Sequence, residues 1–354
     1  MIKLFKPFVS TQARENVQRV LSGTQLAQGH EVDVFEKEFA EKFGFEPWQI
    51  VSLNSGTAAL ELAYELANIK GGYGYDDEVI TPILTCTATN IPLVRRGASI
   101  IFGDIDIEHN SLNMDPVDVE SKISEETRAI VFVHFGGSSK NLQCFEDIAE
   151  EHHIDLICDA AQALGAPLSK IARFNCVSLQ AIKSLTAGDG GVLICRWPDD
   201  AIKARKLRWF GYDRELKQKM GDCDLELPGY KMHMNDINAA IARGNLAEWD
   251  AIYTHRKAIN DTYARLAVEN EYIPGIWNPQ VIRRNFEALN PICEAAGFEI
   301  GQYHYRNDKY SIFKNADAQC PSMDRYNDQY FMLPCHMGMT VEDAERLANV
   351  IWPK

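Results

Sequence analysis

The chain has no C-x-x-C pair. Its nine cysteines are scattered and odd in number. A disulfide framework and a zinc site of paired thiols are therefore not expected; reduced, mostly buried thiols are. Positive charge is also short: 36 Lys and Arg stand against 50 Asp and Glu, a formal net charge of −14. That balance argues against nucleic acid and anionic membranes as partners, though not against a small anion held by local donors. No apolar run approaches the ~20 residues of a membrane-spanning helix. The opening segment, Met1 to Pro7, is too short and too charged for a signal peptide, so a cytoplasmic location is expected. No G-x-G-x-x-G follows the first apolar run, which removes the main support for a dinucleotide site. Internal repeats, low-complexity tracts and Gly/Ser linkers are absent too.

What remains is an ordinary globular composition, 46% hydrophobic and 24% charged over 354 residues. A chain of this length buries a large core, with a main domain over 1–250 and a smaller α+β domain over 251–354 expected. Short runs, apolar on both faces, predict strands at 49–53, 78–81, 99–103, 129–133, 155–158, 176–179 and 192–195. Helical patterns lie between them at 57–67, 88–95, 116–123 and 142–152. This β-α-β rhythm predicts an α/β fold whose large domain has a mostly parallel sheet flanked by helices. A long helix follows over 235–263. Beyond it, helices are expected at 285–296 and 341–351, with strands at 299–303 and 330–333.

Two apolar runs end in chemistry. The first closes on Cys158-Asp159-Ala160-Ala161-Gln162; the second leads through Ser178 to Lys183, followed by Gly190-Gly191. A lysine amine that can condense with an aldehyde, and a carboxylate that can keep a pyridine nitrogen protonated, are what pyridoxal 5'-phosphate requires. Asp159 alone reads as a helix cap, but a buried carboxylate wants a partner, and a pyridinium N–H would be one. Gln162 could meet the ring hydroxyl, and Ser178 could donate to the phosphate.

Asn54-Ser55-Gly56-Thr57-Ala58 follows a strand and opens a helix. Gly56, Thr57 and Ala58 would offer backbone N–H groups and the helix dipole to a phosphate. An ordinary Ser or Thr N-cap is the simpler reading of the same residues. His134 ends a strand and could line a cleft. His304 stands two residues before Arg306, which could clamp an anionic substrate or be a plain surface cation.

Together these residues resemble the DegT/DnrJ-type sugar-nucleotide aminotransferases, of the aspartate aminotransferase fold, over nearly the whole length. Ser55 to Leu60 is similar to the family's phosphate-binding motif. Pro82, Thr85, Ala88 and Thr89 match its next loop, and Asp159 to Gln162 and Ser178 to Lys183 match its cofactor motifs. The resemblance implies Lys183 and Asp159 as catalytic residues. It also implies an amino-acid donor, glutamate, a nucleotide-linked keto-sugar acceptor, and a homodimer with shared active sites. Three departures stand out. Cys86 occupies the place of a ring-stacking aromatic. Lys231 occupies the place of an Asn that reaches the other subunit's cofactor phosphate. The stretch between 263 and 285 is short for the family. A sugar dehydratase is the nearest alternative, but there a His replaces the lysine. A non-catalytic relative is the other, and the retained Lys183, Asp159, Gln162 and Ser178 oppose it.

Overall fold

The computed structural model describes residues 1–72 and 75–353. Helices α1 (Thr11–Leu21) and α2 (His30–Phe43) lead into strand β1 (Ile50–Leu53), which passes through a tight turn into α3 (Gly56–Leu66). A two-stranded ribbon, β2 (Gly71–Gly72) and β3 (Tyr75–Asp76), precedes β4 (Glu78–Pro82), α4 (Thr87–Arg96) and β5 (Ser99–Gly103). Then come α5 (Pro116–Ser121), β6 (Thr127–Val133), α6 (Leu142–Glu151), β7 (Asp155–Asp159), β8 (Phe174–Ser178) and β9 (Gly191–Cys195). The seven strands expected before residue 200 are all present, their ends shifted by at most two residues.

β1, β4, β5, β6, β7, β8 and β9 form one sheet in the order β1-β9-β8-β7-β6-β4-β5. The pairs from β5 across to β8 are parallel; β9 lies antiparallel between β8 and β1. Strands β1, β7, β8 and β9 are almost wholly buried on both faces, as expected where helices cover a sheet on both sides. Each Phe or Ile enclosed there contributes about 1.5–3 kcal/mol through the apolar area removed from water.

Two glycines let the site-bearing turns approach. A Cβ on Gly56 would stand 2.7 Å from Ser178 Cβ, and one on Gly191 would stand 2.2 Å from the Ser55 carbonyl oxygen. The first turn of α3 therefore rests directly on the ends of β8 and β9. Ser55 caps it, its hydroxyl accepting from the Ala58 N–H at 3.1 Å, a contact worth about 1 kcal/mol.

The second part of the chain holds α7 (Pro198–Leu207), α8 (Arg214–Met220), α9 (Asp236–Ala247), α10 (Trp249–Leu266), β10 (Tyr272–Ile273) and β11 (Gln280–Ile282). It continues with α11 (Phe286–Ala295), α12 (Pro321–Tyr326), β12 (Tyr330–Met332) and α13 (Val341–Ile351). The expected long helix is two helices, broken at Glu248. Just before the break the Asn245 side chain bonds Ser10 N–H and the Thr186 carbonyl, each at 2.8 Å. Just after it, Trp249 sets its ring against Phe43. These contacts anchor the two segments to different neighbours.

Strands β10, β11 and β12 form an antiparallel sheet. The strand expected at 299–303 reduces to one bridge, Gly301 to Met332, because the Glu299 N–H donates to the Ile2 carbonyl instead. α10 straddles the domain boundary expected at residue 250. Ile273, Trp277, Ile282, Tyr330 and Met332 share a core with α3 and the main sheet. A second cluster joins α10, α11 and α13.

Candidate active site

β7 ends on Asp159, and β8, pairing with it in parallel, ends on Ser178. Parallel strands deliver their C-terminal ends to the same edge, so both residues reach one cleft. Lys183 lies in the turn after β8, its N–H donating to the Gln180 carbonyl at 2.9 Å. Residues from these ends, from the α3 turn and from the 303–304 segment enclose a cavity of about 290 Å³. The predicted residues Gly56, Thr57, Cys86, Asp159, Gln162, Ser178, Lys183 and His304 all line it.

Asp159 is 4% exposed. Its Oδ2 accepts from Thr89 Oγ at 2.8 Å, and its Oδ1 accepts from the Ala161 N–H at 3.0 Å. Burial raises its pKa; the two donors and the Lys183 charge pull the other way. Among the described residues no cation forms an ion pair with it. A buried carboxylate without an ion pair is costly, so this one is prepared for a cationic partner from outside the chain.

Lys183 is partly open to the cavity, but protein encloses its amine. Burial pushes its pKa down to about 8, against the opposing charges of Asp159 and Cys86. At that value the neutral amine is available near physiological pH. Cys86 stands on the cavity wall just ahead of α4, its thiol pKa raised by burial.

The amide of Gln162 orders a short chain. Its Oε1 accepts from the Gly136 N–H at 2.6 Å, so its Nε2 must be the donor to His304 Nε2, 3.0 Å away. His304 is then the tautomer with its proton on Nδ1. Burial, with the Lys183 charge adding to it, pushes its pKa down to about 3 and keeps the ring neutral. At the other end of the cavity, the first-turn N–H groups of Gly56 and Thr57 precede the helix's own hydrogen bonding. The Ala58 N–H already serves the Ser55 cap.

Four predicted residues lie elsewhere. Ala58, the third residue of α3, is not among the residues lining the cavity. His134 is fully buried against Phe132, with Nδ1 3.1 Å from Ser139 Oγ. Arg306 faces Asp308 and Asp324, which occupy its guanidinium and raise its pKa. Lys231 is exposed, its backbone bridging to Trp209. Sequence reasoning did not single out Trp277 or Tyr303. Trp277 places its ring centroid 3.9 Å from Lys183 Nζ, and Tyr303 lines the cavity. Both come from the C-terminal part, where no local pattern marks them.

The cavity suits pyridoxal phosphate. It offers an amine for the aldehyde, an uncompensated carboxylate for the ring nitrogen, and a helix N-terminus with a serine hydroxyl for the phosphate. The close seat of Gly56 on Ser178 leaves that phosphate cradle without side-chain bulk.

Comparison with known proteins agrees. A sequence profile of the DegT/DnrJ/EryC1/StrS aminotransferase family matches residues 8–351. The spore coat polysaccharide biosynthesis protein SpsC of Bacillus subtilis (strain 168) is 33% identical over 285 residues, covering 78% of this chain and 70% of that protein. The dTDP-4-dehydro-2,3,6-trideoxy-D-glucose 4-aminotransferase of Saccharopolyspora spinosa is 29% identical over 372 aligned positions, covering 98% and 94%. The crystal structure of the sugar aminotransferase CalS13 from Micromonospora echinospora superposes with a TM-score of 0.91 at 30% identity, covering 99% of each chain. The chain belongs to the DegT/DnrJ/EryC1/StrS aminotransferase family and is a pyridoxal-phosphate-dependent sugar aminotransferase.

Proposed function

We propose that the chain transfers an amino group from an amino acid, glutamate, to a nucleotide-linked keto-sugar. The observation that carries this reading is the pairing of an enclosed lysine amine with an uncompensated buried carboxylate in one cavity, Lys183 and Asp159. The kinship with a nucleotide-sugar 4-aminotransferase supports the acceptor class.

Bound pyridoxal phosphate supplies the electron sink that lets a proton leave the donor's α-carbon. Lys183 would anchor the cofactor, and its neutral amine is the group that would carry that proton. A base with a pKa near 8 suits this work close to neutral pH. Asp159 would hold the ring nitrogen in its cationic form. The Gly56 and Thr57 amides and the Ser178 hydroxyl would hold the phosphate. Gln162, fixed by Gly136 and His304, presents its amide on the same wall. His304 and Tyr303 are the groups placed to meet a substrate, whereas Arg306 is held by its own carboxylates. Lys231 is assigned to the partner subunit's phosphate in a homodimer, since it stands on the surface and apart from its own cavity.

The test is a panel of nucleotide-linked keto-sugars offered with amino-acid donors to the purified, cofactor-loaded protein. Mass spectrometry should show an amino-sugar product that depends on glutamate. Exchange between amino acids and keto acids, with no keto-sugar aminated, would overturn the acceptor assignment.

A further inference from the structure

Trp277 reaches the lysine from 94 positions along the chain, in the turn between β10 and β11. It is fully buried, and one backbone bond and three indole contacts fix it. Its backbone N–H donates to the Gly136 carbonyl at 3.2 Å. Its ring stacks on Phe5, with centroids 5.2 Å apart at 23°, and on His304, at 6.1 Å and 26°. Its Nε1 donates to the carbonyl oxygen of Ile182 at 2.9 Å, one residue before the lysine. Lys183 Nζ stands over the ring, 3.9 Å from the centroid.

We propose that Trp277 is a positioning residue for the reactive amine, its indole face seating the free Lys183 ammonium and its N–H fixing the Ile182 carbonyl. A lysine side chain has four rotatable bonds, and an amine that repeatedly gains and loses a covalent partner needs a place to rest. The negative face of an indole is the strongest such seat among the aromatic rings, most of all where water is excluded. The seat also opposes the burial that drives Lys183 toward its neutral form. The same ring that holds the ammonium stacks on His304, so one side chain sets two walls of the cavity. The proposal rests on Lys183 being the reactive amine, but its test reads that amine directly and needs no turnover.

The charged and titratable groups facing Lys183 are Asp159 at the end of β7, Cys86 ahead of α4, and neutral His304. Asp189, before β9, lines the same cavity. Trp277→Leu also removes the stacking partner of His304, whereas fluorination keeps the ring and leaves these groups in place. A tryptophan that only filled the core would leave the amine's titration unchanged on isosteric weakening of its π-face.

The experiment is trace acetylation of the cofactor-free full-length protein with acetic anhydride across pH, read lysine by lysine by peptide mass spectrometry. Three forms are compared with the parent: protein grown on fluorinated tryptophan, Trp277→Phe and Trp277→Leu. Among the described residues no other tryptophan carries a lysine over its ring, and Lys170 over Phe45, at 3.5 Å, is the internal control. The Lys183 midpoint should fall stepwise with fluorination, and by about 0.5–1.5 pH units in Trp277→Leu, with Trp277→Phe between. Lys170 should not move. Fluorination keeps the shape of the ring, so it decides the matter alone if the substituted variants fail to fold. An unchanged Lys183 midpoint on fluorination would overturn the proposal.

Discussion

Replacing Asp159 with Asn separates the carboxylate's charge from its hydrogen bonds. Both bonds survive the exchange. The amide oxygen still accepts from the Ala161 N–H, and the amide nitrogen can donate to Thr89 Oγ, whose hydroxyl then turns to Thr85 Oγ, 3.0 Å away. No buried polar group is left unpaired, so Asp159→Asn should fold. Burial raises the Asp159 pKa in the folded protein, so the folded state binds this proton more tightly than the unfolded chain does. The carboxylate therefore lowers the stability of the cofactor-free protein, by an amount that grows as pH rises from the ordinary carboxylate value to the raised one. Without cofactor, Asp159→Asn should match or exceed the parent's Tm at pH 7, with the advantage vanishing below about pH 3.9, where both states are protonated. With cofactor the order reverses in function. A hydrogen bond to a charged group is worth about 1.5–3 kcal/mol, so losing the charge should slow the half-reaction with glutamate by about 10- to 150-fold. Stopped-flow absorbance of the loaded variant measures that rate, and calorimetry of the empty one gives the Tm. A near-parent rate at full cofactor occupancy would refute the assigned role. A large fall in the empty variant's Tm at pH 7 would refute the hydrogen-bond argument.

Three further outcomes are expected. Lys183→Ala should lose both anchor and base, and positioned acid–base work alone is worth about 10²–10⁴-fold in rate; steady-state turnover checks this, and appreciable residual activity would reassign the lysine. Gly56→Ala places a Cβ 2.7 Å from Ser178 Cβ, which must push α3 off β8 and misalign the phosphate donors. Losing about 1–3 kcal/mol of such contacts should weaken cofactor affinity roughly five- to 150-fold, as equilibrium dialysis would show; unchanged affinity would refute the cradle. Lys231→Ala should weaken cofactor binding over a similar range in a protein that light scattering finds dimeric; a monomer with full cofactor occupancy would remove the cross-subunit assignment.

The strands and the sides of the active cleft were legible in the sequence because the signals are local. Doubly apolar runs of four to seven residues specify buried strands, and their spacing by helical patterns specifies parallel neighbours. Ser55 is an N-cap by its chemistry and its place after β1. Asp159 and Lys183 were found because acid and amine at the ends of apolar runs are rare without a purpose. Local signals also misled: an apolar helical pattern runs through Glu248, and nothing within it shows that Asn245 and Trp249 are drawn to different neighbours.

Sequence by itself therefore determined the succession of strands and helices through the main sheet, the covalent chemistry available and the family. Tertiary structure alone decided the sheet order, with β9 reversed between β8 and β1, because pairing depends on crossovers that no local period records. It decided which charges are free: Arg306 looks available in sequence, but Asp308 and Asp324 hold it in space. It decided the lysine's surroundings as well. Trp277, Tyr303 and His304 are separated from Lys183 by about a quarter to a third of the chain, and only packing of the C-terminal segment against the main sheet brings them to one amine. The physical reason is the same in each case. Propensity and periodicity act over a few residues, whereas burial, desolvation and charge pairing depend on whatever the fold brings alongside.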